Sequence, residues 1–400
     1  MNQISPIPPL AITALTAVSA LGAGLDATRH ALRARQGGLA PAAPEDGVPG
    51  AWVGRVAGLE RAFLPQALSH FTCRNNLLAE MALAQDGFAE AVGDACVRHG
   101  PARIGVVLGT STAGIAETEA AYAARSGPGA PLPGSFNYSD THDLQALPRY
   151  VRTRLGLKGP ALAVSTACTS GARTVIEAAA LLHSGICDAV VAGGVDTLCR
   201  LTLRGFDALA LLARGPSRPC AADREGISIG EAAGLFLLER GPAPGQLAIL
   251  GAGASADGHH MSSPHPEGLG AVTAMRRALQ QAGLAPAEID YINLHGTGTR
   301  ANDAMEDRAV TEVFGTALPC SSTKGWTGHT LGASGALEVA VAAICLQDGL
   351  IPGCLGIDAP DPDFRADLAI ANRHASVRRV MSNSFGFGGS NCALVLGPAA

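Results

Sequence analysis

The sequence predicts an α/β protein that contains two copies of one unit. Short apolar runs alternate with longer segments rich in Ala and Leu, a pattern typical of strands and helices that alternate along a mixed sheet. Two of the Ala-rich segments also match each other, because the motif SGA opens both, at residues 170–172 and 334–336. The interval between these two starts equals the interval between the two ends, at Gly185 and Gly349. The match indicates a duplicated fold.

Each predicted element follows from run length and composition. Short apolar runs bounded by turn-forming residues predict strands at Ile104–Leu108, Ala161–Ser165, Ala189–Ala192, Leu235–Leu238, Tyr291–Leu294 and Ala393–Leu396. Longer segments of good helix formers predict helices at Cys73–Val92, Thr169–Leu182, Val272–Ala282, Asp303–Phe314 and Ala333–Leu346. Clusters of Pro and Gly predict loops at Ala40–Gly50, Gly127–Gly134 and Gly241–Gly245. The last loop divides the chain into an N-terminal half, 1–240, and a C-terminal half, 246–400.

Composition excludes several classes of protein. The 29 Lys and Arg residues against 34 Asp and Glu residues give a formal net charge of −5, and no basic cluster stands out. This balance argues against a nucleic-acid surface. Hydrophobic residues make up 47% of the chain and charged residues only 16%, which describes a globular protein rather than a disordered one.

Cysteine usage and the first residues bear on the compartment. The ten cysteines form no C-x-x-C pair, so we expect reduced, mostly buried thiols in a cytoplasmic protein. We expect no membrane span, because no apolar stretch is long enough. Residues 18–20, VSA, mimic a signal-peptidase site, but no Lys or Arg precedes Arg29, so secretion is the weaker alternative.

Cys168 is the thiol with the strongest case for reactivity. It follows the apolar run ALAV and stands in STACTSG, immediately before a predicted helix. Free N–H groups and the dipole at a helix N-terminus favour a thiolate. The small residues Ala167, Gly171 and Ala172 leave room for a substrate to reach the sulfur. The alternative for a single cysteine is an inert packing residue.

Two histidines and a lysine occupy comparable positions. His295 follows the strand YINL and opens HGTGT, while His329 lies just before the second matched helix, with Lys324 a short distance upstream. In a duplicated fold, the turns that precede equivalent helices meet near the pseudo-twofold axis. We therefore expect Cys168, Lys324 and His329 to lie together, with His295 entering from a neighbouring strand end. A satisfied core or surface histidine is the alternative for either histidine alone.

Four segments together resemble the β-ketoacyl-acyl-carrier-protein (ACP) synthases of the thiolase superfamily: VSTACTSGA, NLHGTGTRAND, STKGWTGHTLGASGALE and MSNSFGFGGSNCALVLG. More narrowly, they are similar to the elongating condensing enzymes of KAS I/II type and to ketosynthases of polyketide and aryl-polyene pathways. The resemblance extends from about Ile12 to Leu396. It implies a thiolase-like αβαβα fold of five layers, in agreement with the duplication.

The resemblance also implies roles for individual residues. Cys168 matches the acyl-accepting nucleophile, His295 and His329 match the two catalytic histidines, Lys324 and Glu338 match the accompanying lysine and acid, and Phe387 matches the gating phenylalanine. The backbone N–H groups of Cys168 and Phe387 would form the oxyanion hole. The chemistry needs no redox cofactor and no catalytic metal. Some family members hold a structural monovalent cation at positions that match Asn293, Glu338, Ser382 and Asn383.

The implied reaction explains why these residue types occur together. A thiolate can accept an acyl group from a carrier-protein thioester. Loss of CO₂ from malonyl-ACP then leaves an enolate that attacks the acylated cysteine. Two neutral imidazoles can donate hydrogen bonds to the thioester oxygen on which negative charge develops, and one such donor contributes about 2.7–4 kcal/mol. Lys324 would act on the electrostatics of the site through Glu338 rather than as a base.

The implied partners are an acyl carrier protein and a second subunit. The resemblance implies a homodimer, or a heterodimer with a paralogue of the chain-length-factor type that lacks the nucleophile. Residues Ala189–Asp196 suit a sheet that continues between subunits, and Leu198–Leu212 would lie near the interface and the acyl pocket.

Other functions stay open as alternatives. These are a non-elongating acyltransferase of the same superfamily and the partner subunit of a ketosynthase heterodimer, although the latter would lack Cys168. A degradative thiolase would need a second catalytic cysteine, and Cys392 lies inside a strand-forming run instead. A starter-type synthase would carry Asn in place of His329. The segments CTSG and HGTGTRAND, together with Cys220-Ala221 where the fatty-acid enzymes have Phe-Asp, favour a specialised polyketide or aryl-polyene pathway over fatty-acid synthesis.

Overall fold

The strands and helices of the chain were assigned in a computed structural model, which describes residues 8–400. The strands are β1 (Leu10–Ser19), β2 (Gly22–Ala23), β3 (Leu39–Pro41), β4 (Trp52–Gly54), β5 (Ile104–Gly109), β6 (Ala161–Val164), β7 (Ala189–Asp196), β8 (Ile229–Gly230), β9 (Ala232–Arg240), β10 (Leu247–Ala256), β11 (Tyr291–Asn293), β12 (Pro319–Ser321), β13 (Leu350–Ile351), β14 (Asp367–Leu368), β15 (Arg373–His374), β16 (Val380–Gly386) and β17 (Ser390–Pro398). The α-helices are α1 (Leu25–Ala34), α2 (Arg74–Leu83), α3 (Phe88–His99), α4 (Ile115–Ala123), α5 (Ala146–Arg154), α6 (Ser170–His183), α7 (Arg200–Ala208), α8 (Leu269–Ala282), α9 (Arg300–Phe314), α10 (Lys324–Thr327) and α11 (Ser334–Asp348).

The strand order confirms the duplication. In the N-terminal half the order is β6-β5-β7-β9-β1, with parallel pairing among the first three strands and antiparallel pairing at β9 and β1. In the C-terminal half the order β12-β11-β16-β17-β10 repeats the same pattern of parallel and antiparallel pairs. A short contact between β1 and β10 joins the two sheets. The matched helices α6 and α11 occupy equivalent places in the two halves.

The hydrophobic clusters divide the molecule into five layers. Helices α6 and α11 form the central layer, and their apolar side chains pack against both sheets. Helices α2, α3 and α5 cover the outer face of the N-terminal sheet. Helices α8 and α9 cover the outer face of the C-terminal sheet. This αβαβα order is the predicted one.

Most predicted elements agree with the observed ones, but the long helix predicted at Cys73–Val92 is wrong. The structure has two helices there, α2 and α3, separated at Asp86 and Gly87, which both have positive φ. The Asp86 carboxylate accepts hydrogen bonds from the Leu25 N–H and the Thr16 hydroxyl. The break therefore serves a long-range contact that local helix propensity cannot predict.

The strand expected to continue the sheet into a partner is a second correction. Residues Ala189–Asp196 form β7, which is buried and hydrogen-bonded on both sides, to β5 and β9. An interior strand has no free edge to offer. The edge strand of the N-terminal sheet is β6 instead, and its Leu162 side chain is 40% exposed.

Two apolar segments that resemble a leader or a membrane span lie in the core of the protein. The leader-like residues lie largely in β1, which pairs with β9 and β10 inside the sheet. One segment, Leu331–Asp348, is long and apolar enough to cross a membrane, but 83% of it is buried inside the protein. It includes the central helix α11.

Helices α6 and α11 touch at their N-termini through the repeated SGA motif. A Cβ atom on Gly171 would lie 2.7 Å from the Gly332 oxygen and 3.1 Å from the Ala336 Cβ. A Cβ atom on Gly335 would lie 2.7 Å from the Ala172 Cβ. The contact is thus reciprocal, and each helix start fits only because the other carries small residues.

We predict that Gly171→Ala destabilises the protein, because the added methyl group overpacks this contact, at a cost of about 1–3 kcal/mol. Gly93→Ala is the matched control, since Gly93 lies inside α3 and a Cβ there meets nothing within 4 Å. It should stabilise the protein by about 0.5–1 kcal/mol. Thermal unfolding of both variants measures the difference. Equal midpoints would show that the helix contact is not tight.

Candidate active site

The turn that carries Cys168 connects the edge strand β6 to the central helix α6. Ala167, just before the cysteine, has a φ of 53°, a left-handed conformation that is costly for a residue with a side chain. The Ser170 hydroxyl stabilises this turn, because it accepts from the Thr166 N–H and donates to the Ala167 carbonyl at 2.6 Å. The result places Cys168 at the start of α6, as predicted.

The protonation state of Cys168 differs from the expected one. Burial raises the pKa of the Cys168 thiol to about 11. The positive charge of Lys324 and the backbone N–H of Phe387 act in the opposite direction but do not offset the burial. The helix start was expected to favour a thiolate; in the structure the resting form at neutral pH is the thiol.

The two predicted histidines are brought together. The rings of His295 and His329 lie 5.2 Å apart between centroids and almost perpendicular, at 84°. Both line the same cavity as Cys168. Burial, and next the charge of Lys324, hold the pKa of each imidazole well below its usual range. Both rings are therefore neutral at physiological pH.

The position of His295 depends on Glu306, which the sequence analysis did not single out. The Glu306 carboxylate accepts from the backbone N–H groups of His295 at 2.8 Å and Gly296 at 2.7 Å, and from the Asn383 side chain at 3.2 Å. Burial raises the pKa of Glu306 to about 7. The sequence feature that could have identified Glu306 is its position in α9, shortly after the HGTGTRAND motif.

Lys324 and Glu338 form a buried ion pair. The Lys324 Nζ lies 2.6 Å from the Glu338 Oε1, and the Ser334 hydroxyl donates to the same oxygen at 3.1 Å. Neither residue lines the cavity, so neither is placed to touch a substrate there. Breaking a buried pair of this kind costs about 3–5 kcal/mol. Within the pair, the Lys324 ammonium is the charge that acts on Cys168 and on both histidines.

Two cavities meet at Cys168. One, of about 490 Å³, is also lined by His295, His329 and Thr299. The other, of about 320 Å³, is mostly apolar and includes Leu209 and Leu331. Phe206 and Phe387 line both cavities, and their rings lie 5.6 Å apart. The predicted gating residue Phe387 thus stands with Phe206 at the junction of the two cavities.

The resemblance suggests a structural cation, and the residues present fit one in part. Asn293 and Ser382 lie in register on neighbouring strands. Their side-chain oxygens and the Glu338 Oε2 are buried, and no hydrogen-bond partner for them occurs among residues 8–400. Hard cations bind oxygen ligands of this kind. The Asn383 side chain points to the opposite face of the sheet, towards Glu306. Three of the four implied positions therefore suit a cation.

Comparison with known protein families identifies the chain. The N-terminal domain of the β-ketoacyl synthase family matches residues 9–243, and the C-terminal domain matches residues 247–358. The chain belongs to the β-ketoacyl synthase family. The family places it among the condensing enzymes, which are acyltransferases.

Named relatives agree with this assignment. The 3-oxoacyl-[acyl-carrier-protein] synthase 2 of Coxiella burnetii is 36% identical over 74% of this chain and 75% of that protein. The mitochondrial 3-oxoacyl-[acyl-carrier-protein] synthase of Arabidopsis thaliana is 40% identical over 62% of this chain and 58% of that protein. The β-ketoacyl synthase chain thus spans between 58% and 75% of the length of these two relatives.

Solved structures similar to this β-ketoacyl synthase cover almost the whole chain. The ketosynthase ApeO, in complex with its chain length factor ApeC from Xenorhabdus doucetiae, is 37% identical with a TM-score of 0.89, and 98% of each chain is covered. The ishigamide ketosynthase/chain length factor is 27% identical with a TM-score of 0.87, and covers 98% of this chain and 100% of that one.

We predict that alkylation of Cys168 by iodoacetamide speeds up roughly tenfold per pH unit from pH 7 to pH 9, because only the thiolate reacts. The raised pKa of about 11 means that no plateau occurs in this range. Mass spectrometry of the peptide that contains Cys168 gives the rate. A rate that levels off anywhere between pH 7 and pH 9 would contradict the buried-thiol assignment.

Proposed function

We propose that this β-ketoacyl synthase catalyses the decarboxylative Claisen condensation of an acyl-ACP with malonyl-ACP. The observation that carries the proposal is the convergence of Cys168, His295 and His329 on one cavity, with both imidazoles neutral. The proposal includes the domain division, with the nucleophile supplied by residues 1–240 and the Lys/His set supplied by residues 246–400.

In the first half-reaction, Cys168 takes the acyl group. Its sulfur attacks the thioester carbonyl of acyl-ACP, a new C–S bond forms, and the bond to the carrier sulfur breaks. The carrier thiol leaves with the proton that Cys168 loses. The backbone N–H groups of Cys168 and Phe387 both lie near the sulfur. They are suited to stabilise the oxyanion of this step, at about 2.7–4 kcal/mol for one donor.

In the second half-reaction, His295 and His329 act on malonyl-ACP. Their Nδ1 atoms are buried, so the Nε2–H groups are the donors presented to the cavity. They donate to the thioester oxygen while the carboxylate leaves as CO₂. The carbon of the resulting enolate attacks the acyl-Cys168 carbonyl, a C–C bond forms, and the C–S bond breaks. Cys168 leaves as a thiolate and takes up a proton.

Lys324 and Glu338 act without touching the substrate. The charge of Lys324 disfavours imidazolium at His295 and His329 and lowers the pKa of Cys168 against the effect of burial. Glu338 holds the ammonium in place. A monovalent cation held by Asn293, Ser382 and the second Glu338 oxygen would give those buried oxygens a partner.

We further propose that the acyl substrate belongs to a polyketide or aryl-polyene pathway rather than to fatty-acid synthesis. Two similar structures that cover 98% of this chain are ketosynthases with a chain length factor. The apolar cavity beside Cys168 would hold the acyl chain, and α7, inside the segment Leu198–Leu212, lines it. Competition between saturated and conjugated acyl-ACPs, compared by kcat/KM, tests this. A preference for saturated chains would overturn it.

The same observations support a second subunit beside the acyl carrier protein. Within residues 8–400, strand β6 pairs on one side only, with β5. Leu201 and Leu209, which are 62% and 53% exposed, lie in or beside α7 near the acyl cavity. An apolar surface next to a free strand edge suits a dimer, made with a second copy or with a paralogue that lacks the nucleophile. We also propose a cytoplasmic location, which the ten free cysteines support.

We predict that Cys168→Ala abolishes condensation and leaves the fold intact, because a small side chain fits before α6. Cys392→Ala is the matched control: Cys392 is buried in β17, opposite Ser384, and lines neither cavity. Product formation from acyl-ACP and malonyl-ACP is measured for both. If Cys168→Ala works at the wild-type rate, or Cys392→Ala loses all activity, the nucleophile is misassigned.

We predict that Leu162→Asp in β6 disrupts the dimer, because a charge would be buried at the interface. Val97→Asp is the control, since Val97 is 88% exposed on α3, in the outer layer. Light scattering on purified protein gives the mass. A wild-type monomer would contradict the homodimer, whereas a wild type that is soluble only with a co-expressed paralogue would favour the heterodimer.

A further inference from the structure

Asp196 ends β7 and is completely buried, yet the reaction proposed above does not use it. It follows seven residues of a fully buried strand, where a carboxylate is costly unless it is hydrogen-bonded. Its partners in the structure are N–H and O–H donors rather than cations. These hydrogen bonds offset the cost of burying the carboxylate, so the donors are held in place by it.

The donors to Asp196 come from two separate segments. Thr110, Ser111 and Thr112, which follow β5, supply two hydroxyls and two backbone N–H groups at 2.7–2.8 Å. The Gly332 N–H, from the C-terminal half, donates at 2.6 Å. The carboxylate thus joins the two halves of the protein at a single point.

Each of the two donor segments adjoins or contains a residue with a left-handed backbone, and the turn before Cys168 contains a third. Ala113, next to Thr112, has a φ of 41°, Leu331, next to Gly332, has a φ of 53°, and Ala167 has a φ of 53°. Such conformations persist only where the surroundings enforce them. Hydrogen bonds to a fixed carboxylate are a direct means of enforcing the first two.

The third strained residue is connected through Ser111. The Ser111 hydroxyl donates to the Ala167 carbonyl at 3.3 Å, while the Ser111 N–H donates to Asp196. Ala167 directly precedes Cys168. On the other side, the segment that contains Gly332 follows His329 closely in the chain. A Cβ on Gly332 would lie 2.7 Å from the Asp196 Oδ2, so this approach requires glycine.

We propose that Asp196 is a positioning residue that sets the location of Cys168 relative to His329. Its carboxylate holds two segments in fixed positions: residues 110–112, which include Ser111, and residues 331–332, which include Gly332. Ser111 and Leu331 also line the apolar cavity beside Cys168, so the same carboxylate fixes part of that cavity wall. The inference rests on the proposed role of Cys168 as the nucleophile.

The test compares Asp196→Asn with the wild type and with Glu80→Gln. Asn keeps the size of Asp but loses the charge and turns one acceptor into a donor. Glu80 pairs with Arg154 and Tyr150 in the outer helix layer, so Glu80→Gln removes a structural carboxylate far from Cys168. Acylation of Cys168 by acyl-ACP should slow about tenfold or more in Asp196→Asn, because small misplacements of reacting groups are costly. It should stay at the wild-type rate in Glu80→Gln.

Alkylation of Cys168 by iodoacetamide, without carrier protein, separates this inference from the proposed function. Lys324 lowers and Asp196 raises the pKa of Cys168, while His295 and His329, which share its cavity, are neutral. The alkylation profile of Asp196→Asn should therefore move to lower pH, and that of Glu80→Gln should not. If the wild type is alkylated but never acylated, the proposed function fails rather than this inference.

Ser111→Ala keeps the inference testable if Asp196→Asn does not fold. It removes the bond to the Ala167 carbonyl but keeps the Ser111 N–H on Asp196 and keeps the charge. Acylation should slow in this variant while the alkylation profile stays where it is in the wild type. Wild-type acylation and an unchanged profile in Asp196→Asn would overturn the proposal. If Asp196→Asn does not fold, acylation of Ser111→Ala at the wild-type rate would overturn the proposal.

Discussion

The close contact between the starts of α6 and α11 is the constraint on which the rest of the structure depends. Gly171 and Gly335 each leave room for the other helix, so two equivalent turns meet back to back in the central layer. One turn carries Cys168, and the other follows Lys324 and His329. Duplication therefore does more than build a core. It brings residues from two distant parts of the sequence to a single cavity.

Burial then decides the chemistry of that cavity. It keeps Cys168 as a thiol and both imidazoles neutral, because a low dielectric disfavours every charged form. Lys324, which lies behind the cavity, is paired with Glu338. A neutral donor pair suits a reaction in which negative charge develops on an oxygen and then leaves it. The two neutral imidazoles thus stabilise a transient anion by hydrogen bonding.

Local sequence patterns were sufficient to predict most of the elements and the site. Contacts between residues that are distant in the sequence were not predicted. The SGA repeat and the strand-end position of His295 were sufficient to place the catalytic-type residues together. The break between α2 and α3 was missed because Asp86 bonds to a segment far away in the chain. Strand β7 was taken as an interface because apolarity does not distinguish an interior strand from an edge. Asp196 was missed because its five donors come from two segments that are distant in the sequence and meet only in the folded protein.

The central claim is that Cys168 accepts the acyl group and the two histidines drive decarboxylation. Following radiolabelled acyl-ACP and malonyl-ACP separately in His295→Ala and His329→Ala tests it most directly. The account predicts that both variants still transfer the acyl group to Cys168, while release of CO₂ from malonyl-ACP falls about 10²–10³-fold, the effect of removing one preorganised donor. Equal losses in both half-reactions would contradict it.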